Sequence, residues 1–159
     1  MTLMFKKILI AIAESAESQE VLESGLTLAQ KLGADILLFH VINRSLPTGF
    51  SPLVGGMFPI VNDIALEQYA KELKEYERQG IERLQAYGSQ AKERGVKFEI
   101  SQNYGDSGSM ICEVAKNWSA DTIVMGRNQK SLLSEIFLGS TSNYVLHHAP
   151  CSVMVIQLS

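Results

Sequence analysis

The chain has 159 residues, enough for one domain with a real core. Its 14 basic and 17 acidic residues give a formal charge of −3, which argues against a sequence-independent nucleic-acid surface. No apolar run approaches the ~20 residues that a membrane span needs.

The opening MTLMFKKILIAIAES sets two lysines before a short apolar run, a superficial match to a leader peptide. The run Ile8 to Ala13 is continuous and rich in β-branched residues, and reads better as a first strand. Ser18 to Leu32 follows as a helix with Leu22, Gly25, Ala29 and Leu32 on one stripe and Gly33 as its stop. Ile36 to Ile42 is a second continuous apolar strand. Residues 46–62, LPTGFSPLVGGMFPIVN, hold three of the four prolines and three glycines, and read as a long loop or flap. Its Phe50, Leu53, Val54, Met57 and Phe58 need something to pack on: most simply their own domain, otherwise a ligand or a partner subunit.

Tyr69, Leu73, Tyr76, Gly80, Leu84, Tyr87 and Ala91 recur at helical spacing along a long second helix that Gly95 closes. The tyrosines read as packing, not as base-stacking platforms. Gly80 and Gly88 inside that helix serve either a bend or a close approach. Val96 to Ile100 alternates apolar and charged residues, as a half-exposed edge strand does. Ser107 or Ser109 can cap a third helix carrying Ile111, Val114, Ala115 and Trp118. Thr122 to Met125 is a fourth strand, a short helix begins at or near Ser140 and ends before Pro150, and Val153 to Ile156 is a fifth strand.

Continuous apolar strands alternating with helices specify a parallel sheet covered on both faces. The expected fold class is α/β: one domain over 1–159, a doubly wound five-stranded parallel sheet of order 3-2-1-4-5. The fifth strand then forms an edge. Val153, Met154, Val155 and Ile156 are too apolar to leave bare there, so a homodimer through this strand is expected. The alternative cover is the chain end or a helix.

In such a sheet the ligand crevice lies outside the carboxyl ends of the strands where the order reverses, here between strands one and four. Strand one ends at Ala13-Glu14-Ser15 and strand four at Met125-Gly126. Gly139 would let backbone approach a bound group, and Ser140, Thr141 and Ser142 open a helix whose free N–H groups favour an anion. Arg127 and Lys130 could add positive charge. The plain alternative is a turn followed by an N-cap, worth about 1 kcal/mol.

Elsewhere the residues read as structural. His40 ends the second strand as a buried, satisfied histidine near the crevice. His147 and His148 sit at a helix C-terminus, where a positive ring complements the dipole, and no third ligand at sensible spacing joins them. Cys112 and Cys151 show no metal-ligand spacing and read as packed thiols in a reducing compartment, so a cytoplasmic location is expected. Glu113 and Glu135 read as solvated. No nucleophile, base and orienter can be assembled from the sequence, so no catalytic residue is assigned.

The opening KKILIAIAESAES, the strand ending Leu38-Phe39-His40-Val41, the stretch from Ala120 to Gly126 and the closing Ala149 to Ile156 together resemble the universal stress proteins, over nearly the whole chain. That family's nucleotide signature is Gly, two residues, Gly, nine residues, Gly, then Ser or Thr. Gly126 and Gly139-Ser140 match its spacing, and Gln129 replaces the middle glycine. Ala13 stands where nucleotide-binding members usually carry an aspartate, and Glu14 where a glycine often follows. The resemblance implies an α/β dimer and, in one branch, ATP in the crevice. Gly126, Gly139, Ser140 and Thr141 would then hold phosphates and ribose, with the backbone of Val41 against adenine. The candidate binding set is Ala13, Val41, Met125, Gly126, Arg127, Gln129, Gly139, Ser140 and Thr141. The expected ligand is ATP or AMP, with Mg accompanying ATP, and any hydrolysis would be slow. Two functions follow. One is a nucleotide-binding stress-response or signalling module acting through ligand-dependent shape or dimer assembly. The other is a homodimeric interaction module that binds no nucleotide.

Overall fold

The computed structural model describes residues 5–43, 63–127 and 139–158. Five strands, β1 (Lys7–Ala11), β2 (Asp35–Ile42), β3 (Phe98–Tyr104), β4 (Thr122–Arg127) and β5 (Ser152–Gln157), alternate with four helices, α1 (Ser18–Leu32), α2 (Asp63–Glu93), α3 (Ser107–Trp118) and α4 (Ser140–His148). All pairings are parallel, in the expected order β3-β2-β1-β4-β5.

Period-two alternation in buried strands splits the core in two. Ile8, Ile10 and Ile12 face one way with Ile36, Leu38 and Val124, and the stripe Val21, Leu22, Leu26 and Ala29 of α1 closes over them. Leu9, Leu37, Phe39, Ile123 and Met125 face the other way against Ile111, Ala115 and Val145 of α3 and α4. Each fully buried Leu, Ile or Phe here contributes roughly 1.5–3 kcal/mol, which is what holds two helical layers on one sheet. Gly33 ends α1 in the left-handed region at φ 61°, with its N–H on the Ala29 carbonyl.

Two local expectations are corrected. The third strand does not begin at Val96. Val96 is buried in the turn that closes α2, its N–H on the Ala91 carbonyl, and pairing starts at Phe98 and runs on to Tyr104. The cap of α3 is Asp106, not Ser107 or Ser109: its Oδ1 accepts from the Ser109 N–H at 3.0 Å. That bond, joined by the Ser109 hydroxyl, lowers the Asp106 pKa below the ordinary aspartate value. The folded state thus favours the ionised cap. Its contribution is complete above the unfolded pKa of about 4 and is lost as pH falls through the lower folded value. Urea melts of Asp106→Ala should therefore show a deficit against the parent chain that is full at pH 7 and narrows towards pH 3. Asp106→Asn, an uncharged cap, should show the same trend at a smaller deficit throughout, because the titrating group lies in the parent chain. A deficit for Asp106→Ala that stays constant down to pH 3 would remove the capping role.

Gly80 and Gly88 serve close approach: a Cβ at Gly80 would stand 2.0 Å from Gln102 Oε1, and one at Gly88 would stand 2.2 Å from the Phe98 ring. Both thiols are half-buried and unpaired, and burial pushes each pKa up, so they stay protonated packing groups. No helix among the described residues is long and apolar enough to cross a membrane.

Candidate functional site

The strand order reverses between β1 and β4, and a crevice of about 330 Å³ opens there at the carboxyl ends of the strands. Five of the nine candidate residues line it: Ala13, Val41, Met125, Gly126 and Thr141. They arrive by four routes. Ala13 follows β1, Val41 ends β2, Met125 and Gly126 end β4, and Thr141 opens α4. Gly126 is required by packing as much as by any ligand, because a Cβ there would meet Val21 at 2.8 Å and Leu158 at 2.9 Å.

Arg127, Gly139 and Ser140 stand beside the crevice, not among its lining residues. Arg127 pairs with Gln157 at the end of the sheet, and its Nε is shielded from solvent with no acceptor among the described residues. Gly139 is the N-cap of α4 at φ −52°, within reach of any residue type, and a Cβ there would meet nothing within 4 Å. Neither backbone conformation nor packing against the described residues explains the glycine. Ser140 begins the helix and is exposed. The Ser142 hydroxyl reaches 3.5 Å from the Gly126 carbonyl, tying the start of α4 to the end of β4. Gln129, Lys130, Glu135 and the 46–62 loop lie outside the described residues.

The sequence reading brought Glu14 and Ser15 to the crevice but missed the rest of their wall: Glu17, Ser18 and Val21, at the start of α1, line it with them. The Ser18 hydroxyl donates to the Ala13 carbonyl, fixing the path from β1 into the helix. Tyr76 of α2 also reaches the crevice, its ring centroid 6.1 Å from that of His40. His40 is 3% exposed and its Nδ1 lies 2.8 Å from Gln102 Oε1, so it is buried and satisfied as expected. Gln102 Nε2 donates to the Glu77 carbonyl at 3.1 Å, which makes Oε1 the acceptor and places the proton on His40 Nδ1. In that neutral tautomer the remaining ring nitrogen, Nε2, is an acceptor, and His40 is among the residues that line the crevice.

The crevice therefore has an acceptor-rich side, with Glu14, Glu17 and His40. Opposite lie the shielded guanidinium of Arg127 and the free N–H groups that open α4. Apolar walls from Phe39, Val41, Ile111 and Met125 join the two. Such a cleft suits a flat apolar body with hydroxyl or amino groups at one end and an anion at the other. Among the described residues no group of three or more His, Cys, Asp or Glu side chains is placed to hold a metal ion.

Similarity to known proteins follows the same geometry. The universal stress protein family model matches residues 4–157. Universal stress protein Sll1388 of Synechocystis is 36% identical over 157 residues, covering 96% of this chain and 98% of its own. A universal stress protein solved in complex with cAMP superposes with a TM-score of 0.64 at 16% identity, over 97% of this chain and 98% of that one. An Arabidopsis thaliana family protein with AMP bound gives 0.62 at 20% identity, over 97% and 92%. At those identities the two structures speak for the fold. The match along almost the entire length, with a relative above one-third identity, places the chain in the universal stress protein family.

Proposed function

We propose that the crevice binds an adenine nucleotide of the ATP or AMP type, and that the protein is a cytoplasmic stress-response or signalling module. Ligand-dependent shape or dimer assembly would carry its signal. The observation that carries the reading is Gly139: a glycine that neither its φ of −52° nor any neighbour among the described residues requires, at the N-terminus of α4 beside the crevice. Space left open beside free N–H groups suits a phosphate. The acceptor-rich opposite wall suits the hydroxyls and amine of a nucleoside, and the solved relatives with cAMP and with AMP supply the ligand class. Arg127 would bring positive charge to the same end. With ATP, Mg would accompany the phosphates. Binding, and not turnover, is the proposed activity.

Thermal melts test this. A ligand at about 100 times its Kd adds roughly 2.7 kcal/mol, and a domain of this length gains about 2–4 °C per kcal/mol. AMP or ATP at millimolar concentration should therefore raise the melting temperature by about 5–11 °C. Gly139→Leu should melt like the parent chain without ligand and lose that gain. If neither nucleotide moves the parent chain, the reading is wrong.

A homodimer through β5 belongs to the same proposal. Met154 is 39% exposed on an edge strand whose Val153, Val155 and Ile156 are only half-buried. Sedimentation of the same samples with and without nucleotide reads whether assembly depends on the ligand. A monomer under both conditions would leave an interaction surface unused and count against the dimer.

A further inference from the structure

Glu17 occupies the N-cap position of α1 and lines the crevice. A short polar side chain at that position ordinarily accepts from the free N–H groups of the first turn. The Glu17 side chain makes no such bond. Its Oε2 is instead shielded from solvent and meets no donor among the described residues. A carboxylate oxygen removed from water is costly to leave unpaired, and the usual remedies are a donor, a cation or a ligand. The adjoining crevice offers space for the last of these, and Ala13 beside it has no side-chain acceptor, while its carbonyl is already taken by Ser18.

We infer that Glu17 is a specificity-determining residue of the crevice, whose Oε2 accepts a hydrogen bond from a ribose hydroxyl or the exocyclic amine of the bound nucleotide. The inference rests on the nucleotide reading above. It assigns that end of the ligand to the start of α1, opposite the anion-favouring start of α4. Both donors share one chemistry, a neutral O–H or N–H directed at an ionised acceptor, so analogues lacking one donor at a time separate them. Removing the 2′-hydroxyl, removing the 3′-hydroxyl, or replacing the amine by the carbonyl of inosine monophosphate each deletes a single candidate.

The sign of the effect discriminates. AMP is an anion, and Glu17 repels it through space. If that repulsion were the whole relation, Glu17→Ala would bind AMP more tightly. A direct hydrogen bond to an ionised group is worth about ten- to a hundredfold in affinity, so Glu17→Ala should bind AMP more weakly by about that factor. Calorimetric titration of the parent chain with AMP, 2′-deoxy-AMP, 3′-deoxy-AMP and inosine monophosphate should show one analogue weakened to a similar degree. In Glu17→Ala that analogue and AMP should bind alike. Glu17→Gln keeps a neutral acceptor and should fall between; it also carries the test if the alanine variant folds poorly. Equal or tighter AMP binding by both variants overturns the assignment while leaving the nucleotide site standing. A parent chain that binds none of the four removes the nucleotide reading itself, and this inference with it.

Discussion

Phe39→Ala is expected to lower the stability of the folded chain by about 3–5 kcal/mol. The ring is 1% exposed and is the largest of the fully buried side chains among the described residues. It lies in the layer of Leu9, Leu37 and Ile123 against Ile111 and Val145, where β2 meets the helices α3 and α4. Truncation removes the transfer free energy of the ring and leaves a void that a sheet fixed by pairing on both sides of β2 cannot collapse to fill. Against the 5–15 kcal/mol of a typical domain this is a large fraction, and it corresponds to a fall of about 6–20 °C in melting temperature. Phe39→Leu keeps most of the apolar volume and should lose less. Phe39 is also among the residues that line the crevice. Chemical denaturation and calorimetry on the unliganded protein read the effect directly. A loss below about 1 kcal/mol would mean that this layer is not packed as described.

The sheet was legible because its information is local. Ile8 to Ala13 and Ile36 to Ile42 are apolar at every position, and only a strand covered on both faces asks for that. The strand order then followed from handedness and from the polar third strand, and it is the order found. Once the order was known, the reversal between β1 and β4 located the crevice, and with it Ala13, Met125, Gly126 and the start of α4. Where the reading failed, the deciding contacts were of other kinds. Val96 fits a strand pattern but is claimed by the turn after Gly95, whose geometry buries it against α2. Asp106 and two serines all could cap α3, and only backbone geometry chose among them. Glu17 and Tyr76 enter the crevice because of how α1 is capped and how α2 crosses β2 and β3, neither of which is written in periodicity. The start of α1 was still reachable in principle: the chain leaves β1 at the reversal point, so the next residues must border it.

Gly80→Ala is the second large effect, and local propensity predicts its opposite. In an exposed helix interior alanine is better than glycine by about 1 kcal/mol. At Gly80 the added Cβ would stand 2.0 Å from Gln102 Oε1, 3.0 Å from its Cδ and 3.2 Å from His40 Nδ1. A flexible side chain could ordinarily step aside. Gln102 cannot do so freely, because it accepts from His40 at 2.8 Å and donates to the Glu77 carbonyl at 3.1 Å. Moving it forfeits at least one of these part-buried bonds, at about 1–3 kcal/mol, in addition to the strain of overpacking. After the propensity gain is subtracted, a net loss of about 2–3 kcal/mol is expected in urea melts. The double variant Gly80→Ala with Gln102→Ala should be less destabilised than the sum of its parts, since the second change removes the group that the first one strikes. Functional consequences run through His40. Gln102 holds its proton on Nδ1 and so keeps Nε2 as an acceptor in a residue that lines the crevice, and a displaced Gln102 would release that constraint. Gly80→Ala should then weaken AMP binding even at temperatures where the variant is fully folded. Unchanged binding together with raised stability would show that helix propensity governs this position and that the histidine and glutamine are not coupled to the site.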